Sequence, residues 1–419
     1  MERWEIVVVG AGASGLMAAR AAARARRARG IQGGVLILEG NPKPGKKLLA
    51  TGNGRCNLTN LNAVPDHYHG DRELAAPLLK EYTPAAILEE FREMGLLCRP
   101  DSEGRVYPRN LQAAAVLQAL RWSCEELGVT LRCGQGVSAV APAAGGFRLE
   151  LMEGEPLFAA QVIVACGGKA SPKHSWEGGG YELAEKLGHR VIARYPSLTS
   201  LKSSKKCLRS LKGMRAKAKA ALVKEGKRLW EESGEVMFGE TALSGICVFD
   251  LSARLEGAIQ GDFWVSLDLL EDMPYGEVLA YLEDVARSHP SRPAWELFSG
   301  MLNLRVGEAL MKELAVPRES TLGALTRQQL RKAASLCKDW RFPITGRGDW
   351  EGAQVTKGGV PLSEVDCLTL ESKKHRGLYL VGELLNIDGD CGGYNLHWAW
   401  ATGLAAGQAA GKRKGKRPC

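Results

Sequence analysis

The 419-residue chain contains no Cys-x-x-Cys pair and no Cys/His cluster with the spacing of a zinc site, although it has 11 cysteines. A thioredoxin-type dithiol and a structural zinc module are therefore excluded. An odd number of cysteines also fits poorly with a full disulfide framework and points to a reducing compartment. No apolar run approaches the roughly 20 residues that a membrane-spanning helix requires. The longest stretch of small apolar residues, 396–410, carries His397 and Gln408. Met1-Glu2-Arg3-Trp4-Glu5 leads straight into the apolar residues 6–9 without a signal-peptide pattern. Together these absences predict a cytoplasmic protein that does not enter the membrane. Aromatic residues are sparse at 6%. There is no Gly-X-Y period and no internal repeat, which excludes collagen and solenoid arrays.

What is present has the balance of a globular protein, with 45% hydrophobic and 25% charged residues. The length calls for two or three domains. The net charge of +9 is uneven: residues 202–228 hold eleven basic side chains and one acid, Glu225. A second basic group, Lys412, Arg413, Lys414, Lys416 and Arg417, forms a tail at 412–419. Solvated faces are the simpler reading of both, with nucleic acid the disfavoured alternative, because Trp230 is the only ring near the first segment. The 50 glycines concentrate in residues 10–15, 45–54, 167–180 and 358–393. Those segments call for bare backbone.

Apolar patterning predicts strands at 6–9, 35–38, 129–133, 147–151, 162–165 and 378–381, with helices at 13–29, 84–94, 110–127 and 395–410. Asn110 is the expected cap of the third of these helices. Strand–helix alternation argues for a parallel α/β sheet. The texture changes near residue 195, with short strand-like runs at 236–238, 248–251 and 263–267 and a helical pattern between 276 and 336. The expected domains are a first half at 1–194, an insert at 195–345 with a helical part at about 272–338, and a second half at 346–411.

Gly10-Ala11-Gly12-Ala13-Ser14-Gly15 follows a strand, opens a helix, and precedes a second strand that ends in Glu39. That is the context of the dinucleotide fingerprint. Gly10 permits the turn, Gly12 lets backbone approach a pyrophosphate, and Gly15 allows close helix–strand packing. Glu39 is placed to accept from ribose hydroxyls. FAD and NAD share this fingerprint, but a second copy is absent. The loop from Gly45 to Asn57 alternates small residues with Lys46, Lys47 and Arg55, as suits a flat, partly anionic ligand. Gly382-Glu383 after a strand suits a ribityl chain. The helix opened at Gly392-Gly393-Tyr394-Asn395 suits the negative charge of a reduced flavin.

Residues 45–57, Val355-Thr356-Lys357-Gly358-Gly359-Val360, and the Gly382-Glu383 to Asn395 segment resemble a bacterial family of FAD-dependent flavoproteins. That family includes aminoacetone oxidase and a bile-acid 3-dehydro-Δ4,6-reductase. The resemblance spans the chain, including Gly104-Arg105-Val106-Tyr107-Pro108 and Leu243-Ser244-Gly245. It implies an α/β fold: a glutathione-reductase-like Rossmann FAD domain split by an inserted domain with a β-barrel-like part and a nested helical part. By the same resemblance the FAD contacts include Gly10, Gly12, Ala13, Ser14, Gly15, Glu39, Lys46, Lys47, Thr51, Gly52, Gly54, Arg55, Cys56 and Asn57. They continue through Val137, Ala165, Cys166, Gly167, Gly168, Gly382, Glu383, Asp388, Gly392, Gly393, Tyr394 and Asn395. The chain departs from the family where Cys166 replaces Thr, Asn386 replaces Asp, and Ile246 and Cys247 follow Gly245 in place of the usual Pro.

The expected activity is that of an FAD-dependent oxidoreductase on a small organic substrate, an enone-type reductase fed transiently by NADH or NADPH. An oxygen-using amine oxidase and a flavin-bearing nucleic-acid-binding protein are the alternatives. No metal is expected. Cys56, Tyr107 and Tyr394 are the candidates for proton chemistry, each weighed against a packing role. His397 reads as a core histidine, and His174 lies in a polar loop with no role assigned.

Overall fold

The computed structural model describes residues 1–174 and 179–413. Lys414, Lys416 and Arg417 of the basic tail lie outside the described residues. The chain divides into one unit of Met1–Ser197 with Ala353–Cys419 and another of Leu198–Gly352.

The first unit is built on a seven-stranded sheet in the order Thr130–Cys133, Val35–Glu39, Glu2–Val9, Leu157–Val164, Gly146–Leu151, Val137–Ala143. The first four are parallel, as continuous runs such as Ile6, Val7, Val8 and Val9, buried on both faces, require. Leu157–Val164 has two partners on one side. Its first residues pair antiparallel with Gly146–Leu151, and Val162 to Val164 pair in parallel with Leu378–Leu380. The strand contributed after the insert thus takes over the edge where the hairpin leaves.

Helix Ala13–Arg27 packs against Tyr394–Lys412, and the contact is one of bare backbone. A Cβ added at Gly403 would lie 2.5 Å from the Ser14 carbonyl oxygen, and one at Gly411 2.5 Å from that of Ala22, while Gly407 abuts the Ala18 carbonyl between them. Rising numbers meet rising numbers, so the two helices run parallel. At their far ends the Arg29 guanidinium donates to the carbonyls of Gly411, Lys412 and Arg413.

The helix expected at 110–127 is shorter, Ala113–Glu126, and its cap is Gln112. Leu111, at φ 57°, breaks the helical path, and Asn110 instead accepts from the Gln112 N–H at 3.2 Å in a local turn.

The second unit is a closed antiparallel barrel of Leu201–Ser203, Ala242–Ser244, Lys227–Phe238, Arg215–Lys224, Phe263–Asp268 and Trp340–Arg347. Helices Tyr275–Ser288, Leu304–Glu313 and Arg327–Lys338 intervene before its last strand. Trp340, Phe238 and Phe342, all fully buried, meet in its core. The strand expected at 248–251 is a helix, Ile246–Ala253, that starts at Gly245 with φ 109°. Six of its eight residues are buried, so the run carries neither period, and tertiary packing decides its state.

The basic segment is mostly barrel surface and partly paired with acids. Arg215 pairs with Glu235 at 2.9 Å, Lys219 with Glu231 at 2.8 Å, Lys212 with Glu240 at 2.8 Å and Lys202 with Asp349 at 2.7 Å.

Candidate functional site

Val9, Glu39, Val164 and Leu380 end side by side at the carboxyl edge of the parallel strands, the side on which α/β sheets take their ligands. At Gly10, with φ 107°, a Cβ would sit 2.5 Å from the Ala165 carbonyl oxygen, and its N–H donates to Leu38 at 2.7 Å. Gly12 and Gly167 face open space, with nothing within 4 Å of a Cβ placed there. No side chain caps the helix that begins at Ala13, and its first turn holds no acid. Its free N–H groups and positive dipole end are left for an anion.

Two carboxylates flank this turn: Glu383 is joined directly to Lys47, and Glu39 reaches Lys46 only through Asn41. Glu39 accepts from the Ala11 N–H at 2.8 Å and from the Asn41 backbone and amide at 2.8 and 2.9 Å. Lys46 donates to the Asn41 amide oxygen at 3.0 Å. Glu383 pairs with Lys47 at 2.6 Å and accepts from the Thr356 N–H at 2.8 Å. The Thr356 hydroxyl in turn accepts from the N–H groups of Lys169 and Ala170, beside Gly167 and Gly168. Val137 opens a strand two residues after Gln135, whose backbone N–H bonds the Glu39 carbonyl. Asn41, Gln135 and Thr356 belong to this candidate site and were not among the residues named from the sequence. Thr356 lies in the Val355–Val360 motif, while Asn41 and Gln135 have no signal beyond nearness to Glu39. A Glu383→Ala variant should retain FAD about 10- to 100-fold less tightly, since a hydrogen bond to a charged group contributes about 1.5–3 kcal/mol. Equilibrium dialysis against free FAD measures this.

The second helix start lies further along the same direction. Ser14, one residue into its helix, packs on Gly403, nine residues beyond Tyr394, so at 1.5 Å per residue the two N-termini are offset by about 12 Å. An extended dinucleotide with its pyrophosphate at one and its ring near the other spans such an offset. A Cβ added at Gly393, whose φ is 104°, would lie 2.7 Å from the Asn57 side-chain oxygen, which is buried without a partner among the described residues. An unmet acceptor of this kind suits an imide N–H. The buried Gln135 amide oxygen is likewise unmet. Open glycines, an uncapped helix and two orphaned acceptors fit FAD.

The loop of 45–57 lies between these points, with positive φ at Gly52, Asn53, Gly54 and Cys56. Thr51 is tied by its hydroxyl to the Leu48 carbonyl, and Arg55 is exposed and lies over the Tyr107 ring at 5.7 Å. The Cys56 thiol is fully buried, and burial pushes it up to about 12, which opposes a thiolate despite Arg55 next in sequence. Cys166 is also pushed up to about 12 by burial, and its thiol donates to the Val9 carbonyl at 3.6 Å. Asp388 points elsewhere: it accepts from the Ser197 hydroxyl at 2.8 Å and pairs with the buried Lys357 at 3.4 Å. Asn395 is used inside the turn, exchanging hydrogen bonds with Gly389. Burial, with Lys173, Lys46 and Lys47 nearby, holds His174 below its usual range.

His397 is fully buried with its Nδ1 2.8 Å from the Thr59 hydroxyl, and burial pushes it down to about 4. Because the folded state resists protonation, its contribution to stability is complete above the unfolded value near 6.5 and is lost as pH falls from there towards 4. The loss in urea melts should approach about 3 kcal/mol at about 1.4 kcal/mol per pH unit, and His397→Gln should flatten that slope.

This sheet edge, its two parallel helix starts and the Glu39 and Glu383 carboxylates beside them define a Rossmann-class FAD-dependent oxidoreductase. The chain belongs to the HI0933-like protein Rossmann domain family, whose model matches residues 4–409. It is 37% identical to the 3-dehydro-bile acid delta(4,6)-reductase of Clostridium scindens, over 96% of this chain and 98% of that one. It is 28% identical to the ribosomal RNA dihydrouridine synthase of Escherichia coli, over 97% and 98% of the two chains. The 3-ketosteroid-delta4-(5alpha)-dehydrogenase structure from Rhodococcus jostii RHA1 superposes with a TM-score of 0.48 at 16% identity, over 98% and 97%.

Proposed function

We propose that the protein is a nicotinamide-fed reductase that saturates a carbon–carbon double bond conjugated to a carbonyl in a small organic substrate. The observation that carries this is the end-to-end 37% identity with a reductase whose name specifies a 3-dehydro compound with Δ4,6 unsaturation. When bound, FAD supplies the hydride for such a reduction. The chain's own part is to hold anionic charge at two helix starts, to fix the cofactor through Glu39 and Glu383, and to supply a proton. With one dinucleotide fold present, NADH or NADPH is a transient visitor. All the chemistry is assigned to the unit built from 1–197 and 353–413.

A second reading, an RNA substrate, is favoured by one feature of the insert. Lys206, Arg209 and Lys312, none paired with a carboxylate in any described contact, line a cavity of about 530 Å³ with Lys205, Cys207 and Glu313. The rest of the basic segment is mostly spoken for. A dihydrouridine synthase among the relatives gives that cavity a phosphate backbone to consider.

Anaerobic titration separates the readings. The expected result is bleaching of the flavin by NADH or NADPH and its recovery on adding a 3-oxo-Δ4,6 steroid. Bleaching by an amine, with recovery by oxygen alone, replaces the proposal with the oxidase. Retardation of ribosomal RNA at low salt, lost with a steep salt dependence, moves it to RNA.

A further inference from the structure

A cluster of titratable side chains beside the last helix belongs to no role assigned above. Asp390, its side chain 9% exposed, is shared by two histidines: His67 Nδ1 lies 3.0 Å from one oxygen and His69 Nε2 2.8 Å from the other. The backbone locks the arrangement. Tyr68–Gly70 pairs antiparallel with Ile387–Gly389, and the Asp390 N–H donates to the His67 carbonyl at 2.9 Å. The His67 ring then stacks on Tyr394, centroids 4.5 Å apart at 21°, while the Tyr68 hydroxyl donates to the Tyr394 carbonyl at 3.0 Å. No group of three metal-ligating side chains among the described residues is arranged to hold an ion.

The geometry assigns His67 as the proton donor of the reduction and Asp390 as its positioning residue, an inference that rests on the reductase reading and on the last helix start facing the flavin. An ionised carboxylate can only accept, so contact with Asp390 puts a hydrogen on His67 Nδ1 and leaves Nε2 as the ring nitrogen not held by the carboxylate. His67 is 37% exposed at its side chain, whereas Tyr394 is 5% exposed and roofed by it. The group that can reach a substrate is therefore the imidazole. The negative charge of Asp390 compensates the imidazolium, and His69 on the far oxygen keeps that carboxylate fixed.

The balance of the step is simple. Saturating the double bond of an enone puts a hydride on the β carbon and a proton on the α carbon. The hydride comes from the reduced flavin, recharged by a nicotinamide. The proton comes from His67, whose Nε2–H bond breaks as the Cα–H bond forms. Neutral imidazole remains and regains its proton from water. The same residues serve any double bond conjugated to a carbonyl.

Stopped-flow measurement of the two half-reactions of the holoenzyme tests the assignment. In His67→Gln, bleaching by NAD(P)H should keep its rate, while reoxidation by a 3-oxo-Δ4,6 steroid should slow about 100-fold or more. Free imidazole should restore part of that rate in His67→Ala, which a packing role does not predict. Nitrogen-15 NMR of the holoenzyme should show His67 Nδ1 protonated, and Asp390→Asn should redistribute the tautomers. A His67→Gln variant reoxidised at the wild-type rate overturns the assignment alone. So does a His67→Ala variant slowed in both half-reactions and deaf to imidazole. A wild-type protein whose bleached flavin no enone oxidises overturns the reductase reading and the assignment with it.

Discussion

Gly15→Val should purify colourless. A side chain at Gly15 strikes the Gly10 carbonyl oxygen and comes within 3.2 Å of Ala165. Gly10 is itself pinned against the Ala165 carbonyl, so the clash cannot be relieved by a rotamer change. Overpacking ordinarily costs about 1–3 kcal/mol, and that is a floor where the atom struck is backbone. FAD retention should fall at least about 100-fold, read as the ratio of flavin to protein absorbance after gel filtration. Gly276→Ala is the control: it sits in an exposed helical turn with nothing within 4 Å, and should keep its flavin. Full occupancy in the valine variant would refute the turn as the pyrophosphate site.

Trp340→Ala should uncouple the two units in a thermal melt. Trp340 is fully buried in the barrel, and its indole N–H donates to Glu313 at 2.7 Å. Its ring centroid is 4.8 Å from Phe342 and 5.7 Å from Phe238. Truncating such a residue costs about 3–5 kcal/mol, or roughly 10 °C for a unit of this size. The apolar cluster containing Trp340 is separate from the one behind the parallel sheet. Circular dichroism should therefore show an early transition, while flavin fluorescence is released at the wild-type temperature. A single early transition that also releases the flavin would show that the two cores melt as one.

The fold class was legible because its signals are local. Three glycines in six residues, a strand before them and an acid ending the next strand suffice to name a Rossmann turn, and residues 6–9 announce a two-sided strand by composition alone. The barrel strand Arg215–Lys224 was obscured by its own chemistry. Its outward Arg215, Lys217 and Lys219 read as a charge run, and the inward Ala218 and Ala220 carry little β preference. Residues 248–251 misled because a short apolar run has no period to read. In the candidate site, Glu383 could be named from the residues around it, but its bridge to Lys47 spans 336 positions of sequence. The same holds for His67 and Asp390, 323 positions apart, which no single-sequence pattern can pair. What escaped was long-range pairing of common residue types.

The parallel embrace of the first and last helices has a consequence for how the protein is made. When a ribosome has delivered residues 1–352, the barrel strands are all present, yet the face of Ser14, Ala18 and Ala22 has no glycine stripe to cover it. Leu157–Val164 also still lacks the partner that aligns Leu380 with Val164. Glu383, the second helix start and the Asn57–Gly393 contact arrive only with the closing segment. Flavin retention should therefore require the closing segment: a chain released after residue 352 holds the Gly10–Gly15 turn without Glu383 or the second helix start, and should purify colourless.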